Sequence, residues 1–172
     1  MRRKIVIAIT IIVCFLLQST LFQTLSFASI SPNLLIVVTA TFGFMRGKKE
    51  GMLVGFFCGL IMDIFFGSIL GFYALVYMYI GFMNGIFKKI FYPEDIKLPV
   101  FLIAASNLGL NLITYFVQFL FRGRFELGYY LAHIIIPELV YTLIVGVVIY
   151  FILLKVNQWL EGVEKRSVKK FG

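Results

Sequence analysis

The chain has 172 residues, 61% of them hydrophobic and 17% aromatic, with a mean hydropathy of +0.99. A soluble domain is nearer about 45–50% apolar, so the composition excludes a water-soluble fold and points to one integral membrane domain. The net charge of +8 is no sign of nucleic-acid binding, because the basic residues are scattered among loops with no soluble domain to carry a groove.

The chain opens with a basic cluster and an apolar run. That run exceeds the roughly 7–15 residues of a signal-peptide core, so a retained first helix is predicted over residues 5–25, long enough to span. Cys14 follows Val13 rather than a small residue, which argues against a lipoprotein cleavage site. Cys14 and Cys58 both lie in apolar runs without metal-ligand neighbours and read as small hydrophobes. Ser31-Pro32-Asn33 closes the first connection, with proline suiting a helix start. A second span at 33–45 leads to a charged turn (Arg46, Lys48, Lys49, Glu50), and a third at 51–66 to the turn Gly67-Ser68. A fourth span covers 69–87, followed by Lys88-Lys89 and a polar connector, and a fifth covers 98–120. Arg122, Arg124 and Glu126, with nearby aromatics, precede a sixth at 131–154.

The expected fold is all-α: a polytopic six-transmembrane-helix bundle over 1–154 with a basic amphipathic cytoplasmic tail at 155–172. With the N-terminus inside and six crossings, 14 of the 16 Lys and Arg residues fall inside, leaving only Arg122 and Arg124 outside. This is the asymmetry of the positive-inside rule, and it puts both termini in the cytoplasm. In the tail, Val156, Trp159, Leu160 and Val163 share a helical face, while Lys165, Arg166, Lys169 and Lys170 are basic. Such a segment suits the inner membrane surface, with Trp159 as an anchor.

Glycine recurs every fourth residue at Gly47, Gly51, Gly55, Gly59, Gly67 and Gly71, and Asp63 holds the one remaining place in that register. In a soluble helix each interior glycine costs about 0.8–1 kcal/mol relative to alanine, whereas in lipid small residues at this spacing let another backbone approach closely. The series predicts a packing seam, filled by the fourth helix or by a partner's helix, and its length favours partial exposure to a partner. A carboxylate inside a span is also a functional-site candidate.

Counting about 1.5 Å per residue, Gln18, Asp63, Asn111 and Glu138 fall at one depth in the outer half of the bilayer, with Asn107 one turn from Asn111. Asp63 and Glu138 are expected to face inward, bonded to the amides and sharing a proton. Two uses are open: a small-ligand pocket or proton path, or a satisfied polar core that fixes helix register. Pro137 frees a backbone carbonyl on the sixth helix. The single histidine, His133, has no triad partners, and no phosphate-binding glycine loop is present. The reading is non-enzymatic, with no cofactor.

The combination of Pro32-Asn33, Arg46-Gly47 and the run from Glu50 to Leu75 resembles the MreD family of bacterial rod shape-determining membrane proteins. The resemblance covers the second to fourth helices, and Pro32, Asn33, Arg46 and Asp63 with the glycines are its pattern positions. It implies a scaffold of the cell-elongation machinery in the bacterial inner membrane. The implied partners are MreC, most directly, then MreB, RodA and a penicillin-binding transpeptidase. In helix count and short loops the family is similar to the S-component subunits that bind substrate in energy-coupling-factor vitamin transporters. Those commonly carry an Ala-x-x-x-Ala seam in the first helix, where this chain has only Ala8. A transporter subunit is the alternative reading; lipid flipping along the glycine seam has nothing beyond the seam to support it.

Overall fold

The computed structural model describes residues 2–21, 24, 30–123 and 126–171; the side chains of 21, 120 and 168–171 lie outside the description. All the regular elements among them are helical. Helix α1 is Arg2–Leu16, continued by a π-helical turn, Leu17–Leu21. Then come α2, Leu34–Arg46, α3, Lys48–Phe66, α4, Phe72–Ile86, and α5, Lys97–Arg122. A short helical turn, Leu127–Tyr130, and a π-helical turn, Leu131–Ile135, lead into α6, Ile136–Phe171. The expected end of the first helix near residue 25 falls outside the described residues.

The bundle is organised around α2. Its sequence is apolar on every face, the mark of a helix with no solvent-facing side, and every residue from Leu34 to Met45 is buried. It touches each of the other five main helices. At 13 residues it is about 20 Å long, well short of the roughly 30 Å hydrocarbon core, so a crossing here takes its flanking residues as well. Three segments are long and apolar enough to cross: Arg2–Thr20, Lys97–Phe119 and Leu127–Ser167. Their outward faces carry Ile9, Phe101, Phe116 and Ile144, each more than half exposed, which in water would be a large apolar liability and in lipid is the ordinary surface.

Two boundaries differ from the sequence expectation for identifiable reasons. The charged residues Lys48, Lys49 and Glu50 form the first turn of α3, not a loop. Gly47, at φ 105°, reverses the chain in one residue, a conformation that side-chain-bearing residues avoid. At the other end, α6 continues without interruption through residue 154 into the tail, since no proline follows Pro137. The π-helical turn Leu131–Ile135 sits just before Pro137, whose missing N–H breaks the regular ladder.

Candidate functional site

The glycine series divides into two kinds of position. At Gly51, Gly55 and Gly59 the α4 backbone lies where a Cβ would be: an added carbon would sit 2.3 Å from the Gly81 carbonyl oxygen, 2.2 Å from that of Tyr77 and 2.3 Å from that of Tyr73. The fit is reciprocal, because a Cβ on Gly81 would meet the Gly51 carbonyl oxygen and one on Gly85 the Lys48 backbone. The remaining members serve the chain path. Gly47 and Gly71 have positive φ, at 105° and 99°, and Gly67 caps α3 against the Asp63 backbone. The expectation that part of this face is left for a partner is therefore corrected: α4 fills it, and a seven-place register is long because turn glycines extend it.

The polar layer follows from the short helices. Helix α2 begins at the fully buried Leu34 and α4 beside the buried Asp63, and the first N–H groups of any helix lack intrahelical acceptors. In hydrocarbon each orphan would cost several kcal/mol (order of magnitude). Asp63 resolves this for α4, whose cap residue Gly71 has no side chain. Its carboxylate, 3% exposed, accepts from the backbone N–H of Gly71 (3.0 Å), Tyr73 (2.9 Å) and Ala74 (2.9 Å). Asn33 caps α2 through Oδ1, which accepts from Ile36 N–H at 3.2 Å and from the Tyr77 hydroxyl at 3.0 Å. Gln18 Oε1 takes the Leu35 N–H at 3.2 Å, and the Asn33 N–H donates to Thr142 Oγ1 at 3.1 Å. Pro32, buried, stands just before this cap and not in the helix's first turn. The expected proton sharing between Asp63 and Glu138 is corrected, since Asp63 is committed to three backbone donors.

Glu138 is not spent in this way. The Asn111 side-chain amide donates to its Oε1 at 3.3 Å and lies equally close to Asn107 Oδ1. Gln18, Asn111 and Glu138 converge with Asn33, Tyr73 and Tyr130 on one cavity of about 280 Å³. Asn107, 1% exposed, sits behind Asn111 rather than on the cavity wall. Four of the five residues expected to form one polar layer thus meet at or just behind this cavity, and Asp63 lies beside it, next to Met62. Of the outer cluster, Arg122 and Glu126 are exposed, and Arg124 lies outside the described residues.

At the opposite end an ionic cluster holds the tail. The Arg46 side chain, 7% exposed, pairs through Nη1 with Glu164 Oε2 at 3.2 Å, and its Nε donates to Asn157 Oδ1. Arg3 bridges Glu164 at 3.2 Å and Glu50 at 3.0 Å, while Lys88 Nζ donates to the Arg46 carbonyl at 2.8 Å. In the tail Leu160 is buried, whereas Trp159 is 58% exposed, so the apolar face is split between bundle and surroundings. Lys165 and Arg166 are exposed; the side chains of Lys169 and Lys170 lie outside the described residues. Sequence reading missed this cluster and the buried Asn84–Ser106 bond at 2.8 Å. The visible signal was Asn157 and Glu164, seven apart on one face of a helix otherwise read as surface-bound.

Helices α4 and α5 splay, leaving an apolar groove of about 810 Å³ floored in part by Ala105, Ser106 and Gly109. A Cβ on Gly109 would meet nothing within 4 Å. Among the described residues no cluster of His, Cys, Asp and Glu could hold a metal ion.

These features define a helical membrane protein whose tightest packing is internal and whose buried polar groups are mainly spent on helix ends. The chain belongs to the MreD family: the family model for rod shape-determining protein MreD matches residues 1–160. No curated protein and no solved structure matches it. Membership assigns it a part in determining rod shape.

Proposed function

We propose that this chain is a multi-pass scaffold of the bacterial inner membrane, with six crossings and both termini cytoplasmic, that links MreB and MreC to peptidoglycan synthesis by RodA and a penicillin-binding transpeptidase. The family match over residues 1–160 carries this reading. The molecule's two ends support it: 14 of 16 basic residues gather on the side of the Arg46 cluster under the six-crossing topology, as a cytoplasmic face requires. The glycine seam is taken by α4, so the surface for the MreC transmembrane helix is the open α4–α5 groove, where Ala105 and Gly109 allow close approach. Gly109→Leu should reduce co-purification of MreC from membranes while leaving thermal stability unchanged, and should round the cells when it replaces the natural chain in a rod-shaped host. Undiminished MreC recovery with normal shape would count against this docking surface. Rod shape persisting after depletion of the chain itself would count against the scaffold.

The cavity at Glu138 is the observation that favours the second reading, a vitamin-binding transporter subunit. Saturable vitamin binding by the purified protein, with rod shape unaffected by depletion, would support that reading instead.

A further inference from the structure

The outer-half cavity contains the one carboxylate of the polar layer that the fold leaves without a structural task. Its described walls carry Glu138, the amides of Gln18, Asn111 and Gln118, and the phenol rings of Tyr73 and Tyr130. Among the described residues no lysine, arginine or histidine lines it, and Glu138 forms no ion pair. The contrast with Asp63 is instructive, since three backbone N–H groups surround that carboxylate, while Glu138 has one amide at 3.3 Å. A carboxylate in an apolar surrounding needs a partner or a proton.

The chemistry of the walls selects the class of ligand. An anion would face Glu138 with no cation among the described wall residues to offset it, which argues against phosphate or sulfate as the recognised group. A primary ammonium would find a carboxylate, amide oxygens to accept its three N–H groups, and aromatic rings whose faces attract cations. The volume, about 280 Å³, suits a small metabolite or a headgroup rather than a drug-sized molecule.

We propose that this cavity binds a primary ammonium group through Glu138, presented either by a small free amine or by the headgroup of an aminophospholipid. The site is independent of the scaffold reading, because it involves neither the α4–α5 groove nor the Arg46 cluster.

The test uses the full chain purified in a mild detergent. Thermal unfolding is followed against ethanolamine, with ethylene glycol as the neutral control, and native mass spectra are recorded after exchange into nanodiscs of phosphatidylethanolamine or phosphatidylglycerol. Saturable stabilisation by ethanolamine but not ethylene glycol, weakened at least about tenfold in Glu138→Gln, identifies a free amine. Retention of phosphatidylethanolamine over phosphatidylglycerol, lost in Glu138→Gln, identifies the lipid. Glu138→Asp keeps the charge and should retain part of either effect, separating loss of the ligand from loss of the fold. Absence of both effects in the natural chain, or equal effects in a folded Glu138→Gln, overturns the proposal and leaves a carboxyl group that simply holds its own proton. Rod-shape complementation by Glu138→Gln is read separately and bears only on the scaffold.

Discussion

Replacing Gly55 by alanine should destabilise the protein although alanine is the better helix former. The new Cβ would stand 2.2 Å from the Tyr77 carbonyl oxygen, 2.7 Å from its carbon and 3.1 Å from Met78 Cα. All three are backbone atoms, so no side-chain rotation relieves the clash. Restoring ordinary contact, near about 3.5 Å for non-bonded heavy atoms, means moving α3 and α4 apart by about 1 Å. A gap of that size forfeits roughly a quarter to a half of each affected pair's dispersion energy. Overpacking of this kind costs typically about 1–3 kcal/mol, and the gain from removing a helix glycine, at most about 1 kcal/mol, offsets only part of it. Gly109→Ala supplies the control, because nothing lies within 4 Å of its Cβ position, and it should be neutral or stabilise by up to about 1 kcal/mol. Circular dichroism of the purified proteins during thermal unfolding would read both. A Gly55→Ala midpoint equal to the natural one, or a comparable loss in Gly109→Ala, would refute the close nesting of α3 on α4.

The Asp63 cap predicts a graded series. Asp63→Ala leaves three backbone donors without acceptors and should cost about 3 kcal/mol or more. Asp63→Asn keeps one acceptor oxygen and should cost about 1–2 kcal/mol; equal midpoints for the two would contradict the capping role. Arg46→Ala should free the tail by removing its links to Glu164 and Asn157, seen as faster tryptic cleavage at Lys165 and Arg166 in inside-out vesicles. An unchanged cleavage rate would show that Leu160 packing alone holds the segment.

Much of the architecture could be read from residue spacing, and the misreadings have physical causes. The four-residue glycine period announced a close helix contact, yet spacing alone cannot tell a packing glycine from a turn glycine: Gly51 and Gly71 share the register, and only the folded backbone, through its dihedrals and its neighbours, separates them. Depth counting brought Gln18, Asn111 and Glu138 to one level, where a single cavity gathers them. It could not reveal that Asp63 faces the start of α4, since that depends on the chain reversing over Gly67 to Gly71. The tail was read by its apolar face and basic ends. Its anchoring by Arg46 depends on a contact 118 positions apart in the chain, which helical periodicity does not encode. Pro32, Asn33, Arg46 and Asp63, the positions that carried the family resemblance, all sit at the ends of α2 to α4, where they start a helix, cap it or clamp it.

The proposed topology puts the Arg46 ionic cluster on the cytoplasmic side and the Glu138 cavity on the outer side. The native Cys14 and Cys58 are both buried, so single exposed cysteines can be added at Glu94→Cys, in the α4–α5 connector, and at Glu126→Cys, before the last helix. Labelling spheroplasts with a membrane-impermeant maleimide should modify the Glu126→Cys protein at once and the Glu94→Cys protein only after permeabilisation. The reverse pattern, or equal labelling of the two, would contradict the placement of the cavity and the cluster on opposite sides of the membrane.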